Sequence, residues 1–219
     1  VYMQESGYVR VERENLVAML DVANIAPDYI PGHGHADVLS FELSLFGKRV
    51  IVNSGTSIYG TSSERHNQRS TLSHSTVVID EQNSSELWSG FRVARRANVL
   101  NIKTKQSDNK TKVSACHDGY TRLKGRPIHK RDWNFFDNRI IIKDSITGKG
   151  VHSVNSILPL HPEVSIINPQ ENSVEFEVDG KLVKIVLEGS GELQVVSSKY
   201  HPEFGLSIDN KQLIYSYSG

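Results

Sequence analysis

Two histidines and an aspartate alternate with small residues in the segment PGHGHADVLS, which spans residues 31–40. His33 and His35 flank Gly34, and Asp37 follows two positions later. Imidazoles bind metal ions and move protons near pH 7, and glycine lets a ligand or another backbone approach closely. The alternative is a polar strand end whose histidines have no chemical role. The segment is therefore a candidate catalytic or metal site.

The element that must position these residues is an apolar, alternating stretch of residues 38–54. Residues two apart on a strand share a face, so a continuous strand would align the two histidines and Asp37 with apolar side chains. Those side chains are Leu39, Phe41, Leu43 and Leu45. The polar end of a buried strand face is a suitable position for a pocket.

The rest of the chain also has the pattern of β-strands. Runs rich in Val, Ile, Tyr and Phe are separated by Gly, Asn and Asp, and many short strands of this kind indicate an antiparallel sandwich or barrel. Asp179-Gly180 lies between alternating runs and predicts a hairpin, and Gly47-Lys48 predicts another. Residues 11–23 are the one helix candidate, although the residues before them alternate as a strand does. We expect one all-β domain.

Composition excludes several classes of function. Lysine plus arginine and aspartate plus glutamate are 25 each, so a zero net charge argues against general nucleic-acid or membrane-surface binding. The single cysteine, Cys116, excludes an intrachain disulfide and a cysteine-rich zinc site. No apolar run approaches the roughly 20 residues that span a bilayer. The chain begins at Val1, and we expect a mature piece or fragment of a longer protein.

Four motifs in order resemble the heparinase II/III family of polysaccharide lyases. They are HGHAD at 33–37, VNSGT at 52–56, RSTLSHSTV at 69–77 and HDGYTRLKGRPIHKRDW at 117–133. The resemblance extends from ESGYVRVE near the start to FGLSIDNKQLIYS near the end. It implies that residues 1–219 form the antiparallel β-sandwich that in this family is C-terminal to an α/α-toroid domain.

The resemblance also implies a function, which is cleavage of an acidic, uronate-containing polysaccharide by β-elimination. The expected partners are this polysaccharide and the upstream toroid, with no nucleic acid and no membrane, and the expected location is periplasmic or secreted. Without the toroid, the isolated domain should be inactive. Two alternatives remain, a non-catalytic carbohydrate-binding or scaffold domain and a metal-dependent cupin-like enzyme. The cupin pattern fits poorly, because Glu42 comes two residues too late.

Carried onto this sequence, the family motifs assign a role to each of five residues. His33 faces the substrate as a catalytic residue, and Tyr59 relays a proton. The metal ligands, usually for zinc, are His35, Asn53 and His74. Asn53 stands where the family usually has aspartate, and a neutral amide oxygen is a weaker ligand for a divalent cation. Zinc or another divalent cation is therefore expected to bind weakly.

The sequence also contains candidate substrate-binding residues. Arg65 and Arg69 follow the proposed tyrosine, and guanidinium groups recognise carboxylate or sulfate in a bidentate manner. The basic run of residues 122–131 is expected to be a solvated hairpin, with a polyanion groove as the alternative. Trp88 and Trp133 are expected in the core, with sugar stacking as the alternative.

One geometric conflict concerns the proposed metal site. In a plain hairpin about Gly47-Lys48, Asn53 lies opposite Glu42, and about seven strand residues, or roughly 23 Å, then separate it from His35. Either the H-G-H segment folds back or the two strands do not pair so simply.

Overall fold

The computed structural model describes all residues, 1–219, and nearly all of its regular structure is β-strand. The strands are β1 (Tyr2–Met3), β2 (Tyr8–Arg13), β3 (Leu16–Asp21), β4 (Phe41–Leu45), β5 (Lys48–Ile51), β6 (Val77–Ile79), β7 (Leu87–Trp88), β8 (Arg92–Val93), β9 (Val99–Ser107), β10 (Lys110–His117), β11 (Ile128–Phe135), β12 (Ile140–Thr147), β13 (Ser153–Pro159), β14 (Ile166–Gln170), β15 (Ser173–Val178), β16 (Lys181–Val186), β17 (Glu192–Tyr200) and β18 (Ile208–Ser218). The helical elements are α1 (Ser63–Arg69) and two 3₁₀ turns, Pro31–His33 and Thr71–Ser73.

The strands form five sheets in which neighbouring strands are antiparallel. Their orders are β1-β2-β3-β4-β5, β12-β11-β10-β9, β17-β18-β13-β6, β14-β15-β16 and β7-β8. The main core is packed from side chains of several sheets, including Leu20 and Phe41, Trp133, and Phe176. This arrangement confirms the all-β sandwich, and it shows that residues 11–23 form part of the β2–β3 hairpin.

The two predicted hairpins are both present, with one shifted by a residue. Asp179 and Gly180 connect β15 to β16 with φ values of 50° and 73°, as expected for a two-residue turn with positive φ at both positions. Phe46 and Gly47 connect β4 to β5, so this turn lies one residue earlier than predicted.

The H-G-H loop, residues 31–40, is not the strand that its alternating pattern predicts. It starts with the 3₁₀ turn, and β4 begins only at Phe41. Leu39 has a φ of 62°, and its amide N–H donates to the Asp21 carbonyl oxygen at 3.1 Å. The loop therefore folds back at the end of the sheet, and the shared-face alignment of its histidines with Leu43 and Leu45 is wrong.

A chain of buried polar groups crosses the sheet of β9–β12. The Gly119 N–H donates to His117 Nδ1, and His117 Nε2 lies 3.2 Å from His129 Nδ1. His129 Nε2 lies 2.7 Å from Asp144. If each contact is a hydrogen bond, both imidazoles are neutral and carry their proton on Nε2. The Arg131 guanidinium then balances the charge of Asp144 through two hydrogen bonds.

The tryptophans divide between core and surface. Trp133 is fully buried, as expected, whereas 56% of Trp88 is exposed, so the expectation of a core position for Trp88 is wrong. Trp88 belongs to the two-stranded β7–β8 hairpin, whose backbone is held by Arg65 and Arg69 while the Trp88 ring is left uncovered. No helix is long and apolar enough to cross a membrane.

Candidate functional site

The helix α1 is the scaffold of the site, and its sequence explains its position. The Ser62 side chain accepts a hydrogen bond from the Arg65 N–H and caps the helix N-terminus. Gln68 is buried and forms hydrogen bonds with both the backbone N–H and the hydroxyl of Ser57. The helix thereby fixes the segment that leads to Tyr59. The sequence did not predict this short polar helix.

Arg69 joins two loops on either side of the helix. Its guanidinium donates to the carbonyl oxygens of Gly34 at 3.1 Å and Ser89 at 3.1 Å, and its own carbonyl accepts from the Ala36 N–H at 2.9 Å. Arg69 is fully buried. The H-G-H loop and the β7–β8 hairpin are therefore held to the same side chain.

Arg65 is also buried and lies beneath two exposed aromatic rings. Its Nε donates to the Gly90 carbonyl at 3.3 Å and its Nη1 to Thr56 Oγ1 at 3.3 Å. Its guanidinium carbon is 5.2 Å from the Tyr59 ring centroid and 5.7 Å from that of Phe91. Arg65 is 1% exposed, and the hydrogen bonds of both arginines go to neutral oxygens and not to a carboxylate. Both arginines therefore hold the surrounding loops in place. Because their guanidinium groups are buried, the structure does not favour direct contact between either arginine and the substrate.

The two candidate catalytic residues are brought together at the surface. The rings of His33 and Tyr59 are 5.4 Å apart in an edge-to-face arrangement, and both side chains are exposed. Phe91 lies 5.6 Å from His33, and Phe204 lies 5.1 Å from Tyr59, between ring centroids. Two groups that can transfer protons thus share one accessible, aromatic surface.

A candidate metal-ligating group adjoins His33: His35 and Asp37 lie in the H-G-H loop, and His74 follows the second 3₁₀ turn. One ligand atom from each of His35, Asp37 and His74 lies within 4.8 Å of the others, and the two imidazole centroids are 5.2 Å apart. Both ring nitrogens of His74 are buried without a hydrogen-bond partner, which is unusual for a satisfied core histidine. Two imidazoles and a carboxylate are a donor set suited to zinc. The residues therefore fit a divalent cation.

The protonation states of this group follow from burial. Burial lowers the pKa of His35 to about 3, with further lowering by the charges of Arg65 and Arg69. Burial also lowers the pKa of His74 well below its usual value. Both imidazoles are therefore neutral at pH 7, as ligands must be. Burial, followed by the charge of Asp21, raises the pKa of Asp37, and a bound cation would restore its carboxylate.

Asn53, the predicted third ligand, lies on a segment that does approach His35. The Thr56 hydroxyl is 3.2 Å from His35 Nε2, and the Asn53 amide oxygen accepts a hydrogen bond from the Gly55 N–H. The folded-back H-G-H loop therefore reaches the segment of residues 53–56, and Thr56 is the residue of that segment that contacts His35. The carboxylate that position 53 lacks has a counterpart in Asp37, which lies with His35 and His74. Its place in the HGHAD motif was the available signal, but no ligand role was assigned to it.

The backbone behind the metal-ligating group is fixed by buried side chains. The Thr76 hydroxyl donates to the Val38 carbonyl at 2.8 Å. Arg131 donates from Nη1 to the carbonyls of Leu39 and Ser75, which adjoin the segments of Asp37 and His74. The basic run predicted as a solvated hairpin thus contributes at least one guanidinium to the interior.

Comparison with known proteins agrees with this fold. The chain is an all-β sandwich domain of the kind found in polysaccharide lyases. Residues 1–219 match the family model described as heparinase II/III-like, C-terminal, and the chain belongs to that family. No curated protein matches the sequence.

Solved structures show the same fold at low sequence identity. The crystal structure of heparan sulfate lyase HepC from Pedobacter heparinus superposes with a TM-score of 0.79 at 16% identity, covering 97% of this chain and 33% of that one. Heparinase III, the BT4657 gene product, gives 0.79 at 17% identity, covering 97% and 32%. The chain thus spans about a third of the length of these relatives.

Proposed function

We propose that this domain supplies the proton-transfer pair and a metal centre to a lyase that cleaves an acidic, uronate-containing polysaccharide by β-elimination. The observation that carries the proposal is the exposed His33–Tyr59 pair, with ring centroids 5.4 Å apart, next to the His35, Asp37 and His74 group. A proton-transfer pair beside a group of candidate ligands is the arrangement expected of a catalytic site.

The reaction assigns a separate role to each exposed residue. His33 accepts the proton from C5 of the uronate, the C4–O bond breaks, and a C4–C5 double bond forms. Tyr59 donates a proton to the departing oxygen. A neutral imidazole is a suitable base near pH 7, and positioned groups of this kind contribute about 10²–10⁴-fold in rate.

The buried groups beneath this pair keep its geometry. Arg65 and Arg69 hold the loops of Tyr59 and His33, and their charges lie below the surface where the negative charge of the substrate would develop. His35, Asp37 and His74 would hold a divalent cation, with Asn53 on the neighbouring segment. A bound cation supplies positive charge and fixes the loop that carries His33.

The substrate and the rest of the protein are also part of the proposal. The similar structures are described as heparan sulfate lyase and heparinase III, which supports a glycosaminoglycan as the first substrate to test. We propose an upstream toroid domain that supplies the remaining catalytic groups, and a periplasmic or secreted location where such polymers are met.

The direct test is turnover by the full-length protein. Heparan sulfate and other uronate polysaccharides are incubated with the enzyme, and the ultraviolet absorbance of the unsaturated uronate product is followed. Absorbance should rise with at least one polymer and should not rise with a neutral glucan. A full-length protein that binds these polymers but yields no unsaturated product would favour the carbohydrate-binding alternative.

A further inference from the structure

The β7–β8 hairpin presents an aromatic ring and an unpaired cation beside the candidate catalytic pair. Trp88 and Arg92 are directly paired across the hairpin, and the Arg92 guanidinium carbon lies 5.9 Å from the Trp88 ring centroid. Between them in the turn, Phe91 contacts His33 and Tyr59, with centroids 5.6 and 5.4 Å away. The hairpin surface is therefore continuous with the His33–Tyr59 surface.

The rings of this hairpin are exposed even though its backbone is firmly held. Trp88 is 56% exposed and Phe91 is 42% exposed. Arg65 and Arg69 donate to the carbonyls of Gly90 and Ser89 from below. A Cβ on Gly90 would lie 1.8 Å from the Gly60 carbonyl oxygen, so the turn is closely packed against the Tyr59 loop. An exposed, preorganised aromatic surface is typical of a binding site.

The charges on the hairpin distinguish Arg92 from its neighbours. Arg95 forms an ion pair with Glu86, and Arg96 forms one with Asp28. Arg92 is exposed, lies over the Trp88 ring and has no acidic partner or side-chain hydrogen bond, so the N–H donors of its guanidinium are available to an anion. With Arg92 over one face of the indole, the opposite face and the guanidinium N–H groups together complement a sugar ring that carries a carboxylate or sulfate.

We propose that Trp88 and Arg92 form a subsite for an acidic sugar residue of the substrate, next to the residue that reacts at His33 and Tyr59. The sugar ring stacks on Trp88, and its carboxylate or sulfate pairs with Arg92. This inference rests on the proposed lyase function and deepens it, because it assigns recognition of a neighbouring charged sugar to a surface outside the catalytic pair.

The test compares variants of the full-length enzyme on size-defined heparan sulfate oligosaccharides. Trp88→Ala and Arg92→Gln should each raise KM for a hexasaccharide about five- to tenfold and change kcat by less than about twofold, since stacking and ionic contacts are each of this size. The increase should shrink on the shortest oligosaccharide that is cleaved. Trp88→Phe, which keeps a ring, should restore most of the affinity.

Arg95→Gln is the matched control, because it removes the same charge from the same hairpin at a residue that is already paired. An unchanged KM in both Trp88→Ala and Arg92→Gln, or an equal rise in Arg95→Gln, would overturn the subsite. Thermal midpoints show whether each variant is folded. If Trp88→Ala is unfolded, the KM values of Arg92→Gln and Trp88→Phe test the subsite. If the wild type yields no unsaturated product, the lyase function fails, and calorimetric binding of the hexasaccharide to wild type and Arg92→Gln decides the subsite separately.

Discussion

The Arg69 guanidinium donates a hydrogen bond across 3.1 Å to the carbonyl oxygen of Gly34, a residue 35 positions away in the chain. The same side chain donates to the backbone carbonyl oxygens of Ser89, at 3.1 Å, and Arg92, at 3.4 Å. The Arg69 guanidinium thus holds both the H-G-H loop, which carries the proposed base His33, and the adjacent β7–β8 hairpin.

Arg69→Lys should therefore damage both stability and turnover. A single ammonium cannot replace donors that point to separate carbonyls, so the free energy of unfolding should fall by about 2–4 kcal/mol. Chemical denaturation of the two proteins measures this loss. Arg95→Lys, at an exposed ion pair, serves as the control and should leave stability nearly unchanged. A stable and fully active Arg69→Lys protein would show that the guanidinium is dispensable.

His33→Ala should affect catalysis and not folding. In the full-length enzyme kcat should fall about 10²–10⁴-fold, as for loss of a general base. The thermal midpoint should be nearly unchanged, because His33 is exposed. Product absorbance and a thermal melt provide the two readouts. Near-normal turnover, or an unfolded variant, would make this histidine structural.

The metal centre can be tested by zinc titration of the chain without substrate. Asp37→Asn should weaken zinc binding at least tenfold, since it removes the carboxylate placed with His35 and His74. Asn53→Asp should strengthen zinc binding, because it adds a carboxylate on the segment that contacts His35. Equal affinity in the wild type and Asp37→Asn would exclude Asp37 as a ligand.

The isolated 219-residue chain should show no lyase activity, because we expect the groups that neutralise the uronate carboxylate to come from the upstream domain. The assay compares the chain and the full-length protein on the same polysaccharide at equal concentration. Substantial turnover by the chain alone would contradict the two-domain scheme.

Stability should fall as pH drops below about 6.5, and His117 should account for part of the slope. Burial lowers the pKa of His117 well below its usual 6.5, so below that pH the unfolded chain binds a proton that the folded chain does not. One such proton corresponds to about 1.4 kcal/mol per pH unit. Urea unfolding between pH 7 and 5 should show a shallower slope for His117→Gln. An identical slope would rule out this contribution.

The sandwich was predictable from the sequence because alternation and turn residues are local signals. Asp179-Gly180 sets its hairpin without help from the rest of the chain. The conformation of the H-G-H loop was not predictable in this way. Its alternating residues have the pattern of a strand, but long-range contacts fold the loop back. The burial of Arg65 and Arg69 had no local signal either, because their acceptors come from separate loops. The exposure of Trp88 likewise depends on which distant segments pack against its hairpin, and the local sequence does not show this.

The seven-residue helix α1 is too short to be stable by itself, and it depends on the loops that it organises. We expect the helix and loops to open together as one unit, at a lower free energy than global unfolding. On warming, this unit should open first, and its amides should exchange with deuterium while the strands remain protected. Any lyase activity of the full-length protein should then be lost on heating before the β-sheets melt.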